Sequence, residues 1–101
     1  MQPELFRRLL KSRYARVFSE LRGLNKDLKI AFHCDGKEEW ALDDLVETGV
    51  DIINPLQPDV NDVAAVKKRY RGKLSVWGNV DTRKVMSLGS VSDVVEEVKK
   101  V

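Results

Sequence analysis

Histidine and cysteine each occur once in this chain, and they are adjacent: His33-Cys34-Asp35 follows the apolar run Ile30-Ala31-Phe32 and precedes Gly36. An imidazole, a thiol and a carboxylate on consecutive residues can move protons, attack an electrophile or ligate a metal. Alternation along an extended segment sends His33 and Asp35 to one side and Cys34 to the other. His33 and Asp35 are therefore candidate metal ligands forming a partial site, with a hydrogen-bonded strand-end histidine as the plainer reading. Asp35 is also a candidate acid or base. Cys34 has no second histidine to serve as its base and reads as a small hydrophobe.

Two more polar groups follow apolar runs. Asn54-Pro55-Leu56-Gln57 comes after Val50 to Ile53, and Gly78-Asn79-Val80-Asp81 after Leu74 to Trp77. The amides of Asn54, Gln57 and Asn79 are candidate substrate-binding groups; beside prolines and turns the same amides also cap loops. Asp81 is a second acid/base candidate, which otherwise accepts backbone N–H bonds.

The elements that position these groups alternate in type. Pro3 to Leu21 carries an apolar stripe of Phe6, Leu9, Leu10, Tyr14, Val17, Phe18 and Leu21 at helical spacing. Gly23 is the expected stop. Leu28 to His33 reads as a strand, Glu38 to Thr48 as a helix closed by Gly49, and Val50 to Asn54 as a strand ended by Pro55. A helix follows from about Asp62 to Tyr70, capped by Asn61 or Asp62, and closed by Gly72. Leu74 to Trp77 is a third strand and Arg83 to Met86 a helical turn. Ser90 and Asp93 form a capping-box pattern before a helix with Val91, Val94, Val95, Val98 and Val101 on one stripe. Trp40 and Trp77 read as packing residues, and Asp43-Asp44 as a solvated pair or a charge at a helix start. The order α-βα-βα-βα implies parallel strands with right-handed crossovers. In such folds functional groups gather at the carboxyl ends of the strands, where all three polar groups lie.

Composition sets the outer limits. The 101 residues carry 43% hydrophobic and 34% charged side chains, which suits one small globular domain over residues 1–101. A net charge of +2 gives no argument for nucleic acid or an anionic membrane as partner. Arg7, Arg8, Lys11, Arg13 and Arg16 read as a solvated helix face. A single cysteine forms no internal disulfide, no apolar run approaches the ~18 residues of a membrane span, and Arg7 and Arg8 interrupt any signal-peptide pattern. The expectation is a cytoplasmic protein.

Taken in order, the segments resemble the uroporphyrinogen decarboxylase superfamily, which includes cobalamin-dependent methyltransferases acting on thiols. The matching pieces are Pro3-Glu4-Leu5-Phe6, Ile30 to Gly36, Leu42 to Asp51, Ile53 to Pro58, Leu74 to Thr82 and Leu88-Gly89-Ser90. The resemblance implies a TIM (β/α)8 barrel, which takes roughly 250 residues. This chain would correspond to about the fifth to seventh βα units, an α/β partial barrel. The final strand and the N-terminal half, where the decarboxylase branch keeps its essential aspartate and substrate arginines, would lie outside it.

The resemblance also implies chemistry. The first expectation is a piece of an enzyme that removes carboxyl groups from the acetate side chains of a tetrapyrrole. It needs no cofactor, the substrate is a small molecule, and the isolated chain is inactive. The second is methyl transfer dependent on zinc and a corrinoid. There the family motif is His-any-Cys with a distant second Cys; here His33 holds the first position, Asp35 stands in the second, and no downstream cysteine is present. The third is a non-catalytic barrel fragment. In every case exposed strand edges predict a homo-oligomer.

Overall fold

The computed structural model describes residues 2–100. The chain starts with a long helix, α1, over residues 3–24. It is α-helical at Pro3–Phe6 and Ser12–Leu24 and π-helical at Arg7–Lys11. Pro3 occupies its first turn, where a missing N–H costs no bond. The helix outruns the expected stop: Gly23 lies inside it, and Asn25 in extended conformation ends it.

Three short strands follow, β1 (Ala31–His33), β2 (Ile52–Asn54) and β3 (Ser75–Val76), in one parallel sheet of order β1-β2-β3. The register pairs Phe32 with Ile53 and Ile53 with Val76, and His33 with Asn54. Helix α2 (Leu42–Thr48) is entered through a 3-10 turn at Glu39–Ala41 and closed by Gly49 at φ 100°, a left-handed position that favours glycine. Helix α3 (Val63–Arg69) is capped by Asp62, whose carboxylate accepts from Ala65 N. After β3 come α4 (Val85–Leu88) and α5 (Val91–Lys100). The Ser90–Asp93 capping box forms, with Ser90 N donating to Asp93 and Asp93 N donating to Ser90 Oγ. Val101, the last residue of the valine stripe, lies outside the described residues.

The core sits on one face of the sheet. Phe32, Ile53 and Val76 alternate inward against Leu42, Leu45, Leu56 and Val66, and Phe6 and Phe18 of α1 close the other side. Among the described residues every buried apolar side chain lies at or before Tyr70. On α5, Val94 is half-buried and Val91, Val95 and Val98 are exposed.

Ion pairs lock α1 onto α2. Arg7 and Lys11 both bond the Asp44 carboxylate at 2.8 Å, and Lys11 also reaches Glu47. This revises two expectations. Asp44 is buried and paired rather than solvated, although both acids do stand in the first turn of α2, and Arg7 and Lys11 of the basic face of α1 serve as an anchor. Further on, Arg22 bonds Gly49 O and Asp51, tying the end of α1 to the end of α2. Trp40 packs edge-on against Phe6, but Trp77 is 66% exposed and does not pack as expected. The sheet is open, with one unpaired edge on β1 and one on β3 among the described residues. Among the described residues no helix is long and apolar enough to cross a membrane.

Candidate functional site

The three strand ends do converge. His33 Nδ1 lies 2.8 Å from Asn54 Oδ1, and Asn54 Nδ2 donates to Trp77 O at 2.9 Å. Asn54 therefore ties the ends of all three strands together. On the other side of the ring, His33 Nε2 lies 3.7 Å from Asp35, both side chains being exposed. A histidine held at Nδ1 presents Nε2 in a set direction, which suits it to proton transfer or ligation.

The remaining candidates are engaged with backbone. Gln57 Oε1 accepts from Gly36 N at 2.7 Å, joining the loop after β2 to the loop after β1. Its amide nitrogen stays available to a ligand. Asn79 is 3% exposed, takes φ 84°, and accepts from Leu56 N at 3.2 Å. Its side chain holds the loops together beneath the rim. Asp81 accepts from Arg83 N and Lys84 N, both at 2.9 Å, and so caps its own turn. Cys34 is half-buried; burial first, then the negative charges of Glu38 and Asp35, push its thiol up from the ordinary value. That disfavours the thiolate and agrees with its reading as a small hydrophobe.

A cavity of about 410 Å³ opens where β1 ends, between the start of α1 and the turn into α2. His33, Cys34, Asp35 and Lys37 form its polar mouth, and Phe6, Tyr14, Phe32 and Trp40 its aromatic wall. Glu38 also lines it. This residue was not singled out in the sequence, yet it is the most unusual group in the molecule. It is 4% exposed, and among the described residues neither carboxylate oxygen has a hydrogen-bond partner. Burial, reinforced by the charge of Asp35 and opposed by His33, pushes its carboxyl up to about 7. Its backbone is fixed by Asn61, whose Oδ1 accepts from Glu38 N while Nδ2 donates to Gly36 O and Gln57 O. Nothing in the sequence separates Glu38 from its neighbour Glu39, which is half-buried and accepts from Asp62 N. Only the direction of the 3-10 turn decides which of the two is sequestered.

The arrangement fits a proton-handling site: an oriented imidazole, an exposed carboxylate beside it and a buried carboxyl that titrates near neutrality. It does not make a zinc centre by itself. Among the described residues no three His, Cys, Asp or Glu side chains are grouped to hold a metal ion, so His33 and Asp35 would need further ligands from elsewhere.

The fold and site together define a parallel βα protein with its polar groups at the carboxyl ends of the strands, the arrangement of α/β enzymes. The family model described as Uroporphyrinogen decarboxylase (URO-D) matches residues 1–101, and the chain belongs to that family. No curated protein and no solved structure matches it.

Proposed function

We propose that this chain forms part of the active-site rim of a URO-D-like barrel enzyme that removes carboxyl groups from tetrapyrrole acetate side chains. The observation that carries this reading is the His33–Asn54–Trp77 chain of contacts, which brings the three strand ends to one rim in a member of that family. In each turnover the carbon–carbon bond to a carboxylate breaks, carbon dioxide leaves, and the side-chain carbon takes up a proton. Asp35, beside His33, is the proposed proton donor or base. Asp81, engaged with its own turn, is the second candidate by position. Asn54 and Gln57 keep amide hydrogens for substrate, and Asn79 sets the shape of the loop. The cationic residues needed to neutralise substrate carboxylates lie elsewhere, since among the described residues Lys37 is the only lysine or arginine lining the mouth beside Asp35 and Glu38. The reaction needs no cofactor.

A second reading, zinc- and corrinoid-dependent methyl transfer, is favoured by one observation: the approach of His33 Nε2 to Asp35. Measuring zinc content and carbon dioxide release from uroporphyrinogen on the intact barrel enzyme separates the two. The decarboxylase reading expects carbon dioxide release, its loss in Asp35→Ala, and no bound zinc. Stoichiometric zinc, with demethylation of a methylcorrinoid by a thiol, overturns it in favour of the second.

The unpaired edges of β1 and β3 support a further part of this reading, that copies of the chain associate through them. Sedimentation should then depend on concentration. A monomer that persists at high concentration removes this part.

A further inference from the structure

Glu38 is costly where it stands. A carboxyl group shielded from water with no hydrogen-bond partner is a destabilising arrangement. The nearby cation, Lys37, makes no ion pair among the described residues, and His33 directs its ring to Asn54 and Asp35 instead. Asn61 fixes the Glu38 backbone. The cavity it lines has the size of a small-molecule site. The wall facing the mouth is aromatic: Phe6 against Trp40 with ring centroids 5.8 Å apart, and Tyr14 against Phe32 at 5.3 Å, both edge to face. Aromatic faces attract cations, and the attraction grows when water is excluded.

We propose that this cavity binds a small organic cation, a protonated amine on an apolar body, with the ammonium on Glu38 and the body against Phe6, Phe32 and Trp40. Both carboxylate oxygens are closed to water in the free chain, so the ligand would part the lining to reach them; its N–H donors would then satisfy both, and its charge would offset that of a desolvated carboxylate. A neutral ligand of the same shape supplies only the apolar part. The proposal rests on the cavity and its buried carboxyl, not on the decarboxylase or methyl-transfer reading, and it stands if both fail.

The test is a fluorescence titration of the full chain carrying Trp77→Phe, so that Trp40 in the cavity wall is the only indole. Benzylammonium is compared with benzyl alcohol, its neutral counterpart, at about pH 8, where an ordinary alkylamine is protonated. Benzylammonium should bind at least about tenfold more tightly. In Glu38→Gln the preference should vanish while benzyl alcohol binds as before. Loss of an unpaired buried charge leaves this variant at least as stable as the parent, so a folding failure does not mask the result. A second variant, Phe32→Leu, should weaken benzylammonium more than benzyl alcohol. Equal affinity for the two ligands in the parent overturns the proposal, as does a preference that survives Glu38→Gln. Absence of binding to about 10 mM does the same, including the case where a second copy of the chain fills the cavity and hydrogen exchange at the lining falls with concentration.

Discussion

Asp44 and Glu38 are buried to the same depth, at 5% and 4% exposure, under opposite conditions. Asp44 receives Arg7 and Lys11 from α1. Burial acts to raise its pKa, but the hydrogen bonds from Lys11 and Arg7 outweigh it and hold the carboxyl below the ordinary value. Glu38 receives nothing, and its carboxyl rises to about 7. The two differ in what the neighbouring element brings. At Asp44 a helix delivers two cations, and the buried charge becomes a joint between α1 and α2. At Glu38 the neighbouring face of α1 delivers Phe6, Leu10 and Tyr14, and the carboxyl stays unpaired among the described residues in a residue that lines a cavity. One carboxylate is spent on the fold; the other remains available for chemistry.

The largest effect should come from making Asp44 resemble Glu38. Arg7→Met with Lys11→Met removes both partners and leaves a buried, uncompensated carboxylate. The expected loss of stability is about 3–5 kcal/mol in chemical denaturation at neutral pH, a large share of what a small domain possesses. Adding Asp44→Asn to that pair should recover most of it. If the double variant unfolds at the same denaturant concentration as the parent, Asp44 is not the joint described here.

The second effect is the pH dependence that Glu38 should impose. Its carboxyl is raised from 4.5 to about 7 on folding, so the folded chain binds this proton more tightly than the unfolded one. Below 4.5 both states are protonated and the group adds no pH dependence. The cost grows as pH rises through the interval from 4.5 to 7 and is complete above it. Asp44 works in the opposite sense: its contribution is present above the ordinary 3.8 and is lost as pH falls through its depressed value. Stability should therefore be greatest on the acid side of neutrality. Between about pH 5 and pH 8 the parent should lose roughly 2–3 kcal/mol, and Glu38→Gln should abolish most of that loss. Denaturation midpoints at the two pH values decide it; a slope unchanged in Glu38→Gln would assign it to other groups.

This contrast marks where sequence reading stops. The alternation of apolar runs and helical stripes made the βα order, the parallel sheet and the convergence of His33 and Asn54 legible, because periodicity reports which face an element buries. The capping box at Ser90 was legible for a similar reason, since its partners are three residues apart. Asp44 and Glu38 were not, because their fates depend on residues 33 to 37 positions away in the one case and on the lack of any partner in the other. Trp77 departs from expectation on the same ground: its type suits a core, but no partner among the described residues buries it and it is 66% exposed. The valine stripe of α5 was correctly periodic, yet periodicity does not supply the surface it would pack against.

Asp43, the neighbour of Asp44, gives the smallest and most discriminating test. Its carboxylate is 62% exposed and paired to Arg69 at 2.6 Å, and it accepts the Tyr70 hydroxyl at 2.7 Å. Burial, then that hydrogen bond, pushes the Tyr70 phenol up to about 12. If pairing alone made a carboxylate structural, Arg69→Ala would matter as much as loss of the partners of Asp44. Solvent screening argues otherwise: an exposed ion pair contributes about 0–1 kcal/mol, and Arg69→Ala should fall at the lower end. Tyr70→Phe should cost more, about 1 kcal/mol, because the ring is buried and the hydroxyl it loses donates to a charged acceptor. Denaturation of the two variants beside the Arg7/Lys11 pair would thus rank burial above pairing. A cost for Arg69→Ala comparable to that double variant would reverse the ranking, and with it the inference that depth in the fold is what makes the solitary Glu38 carboxyl matter.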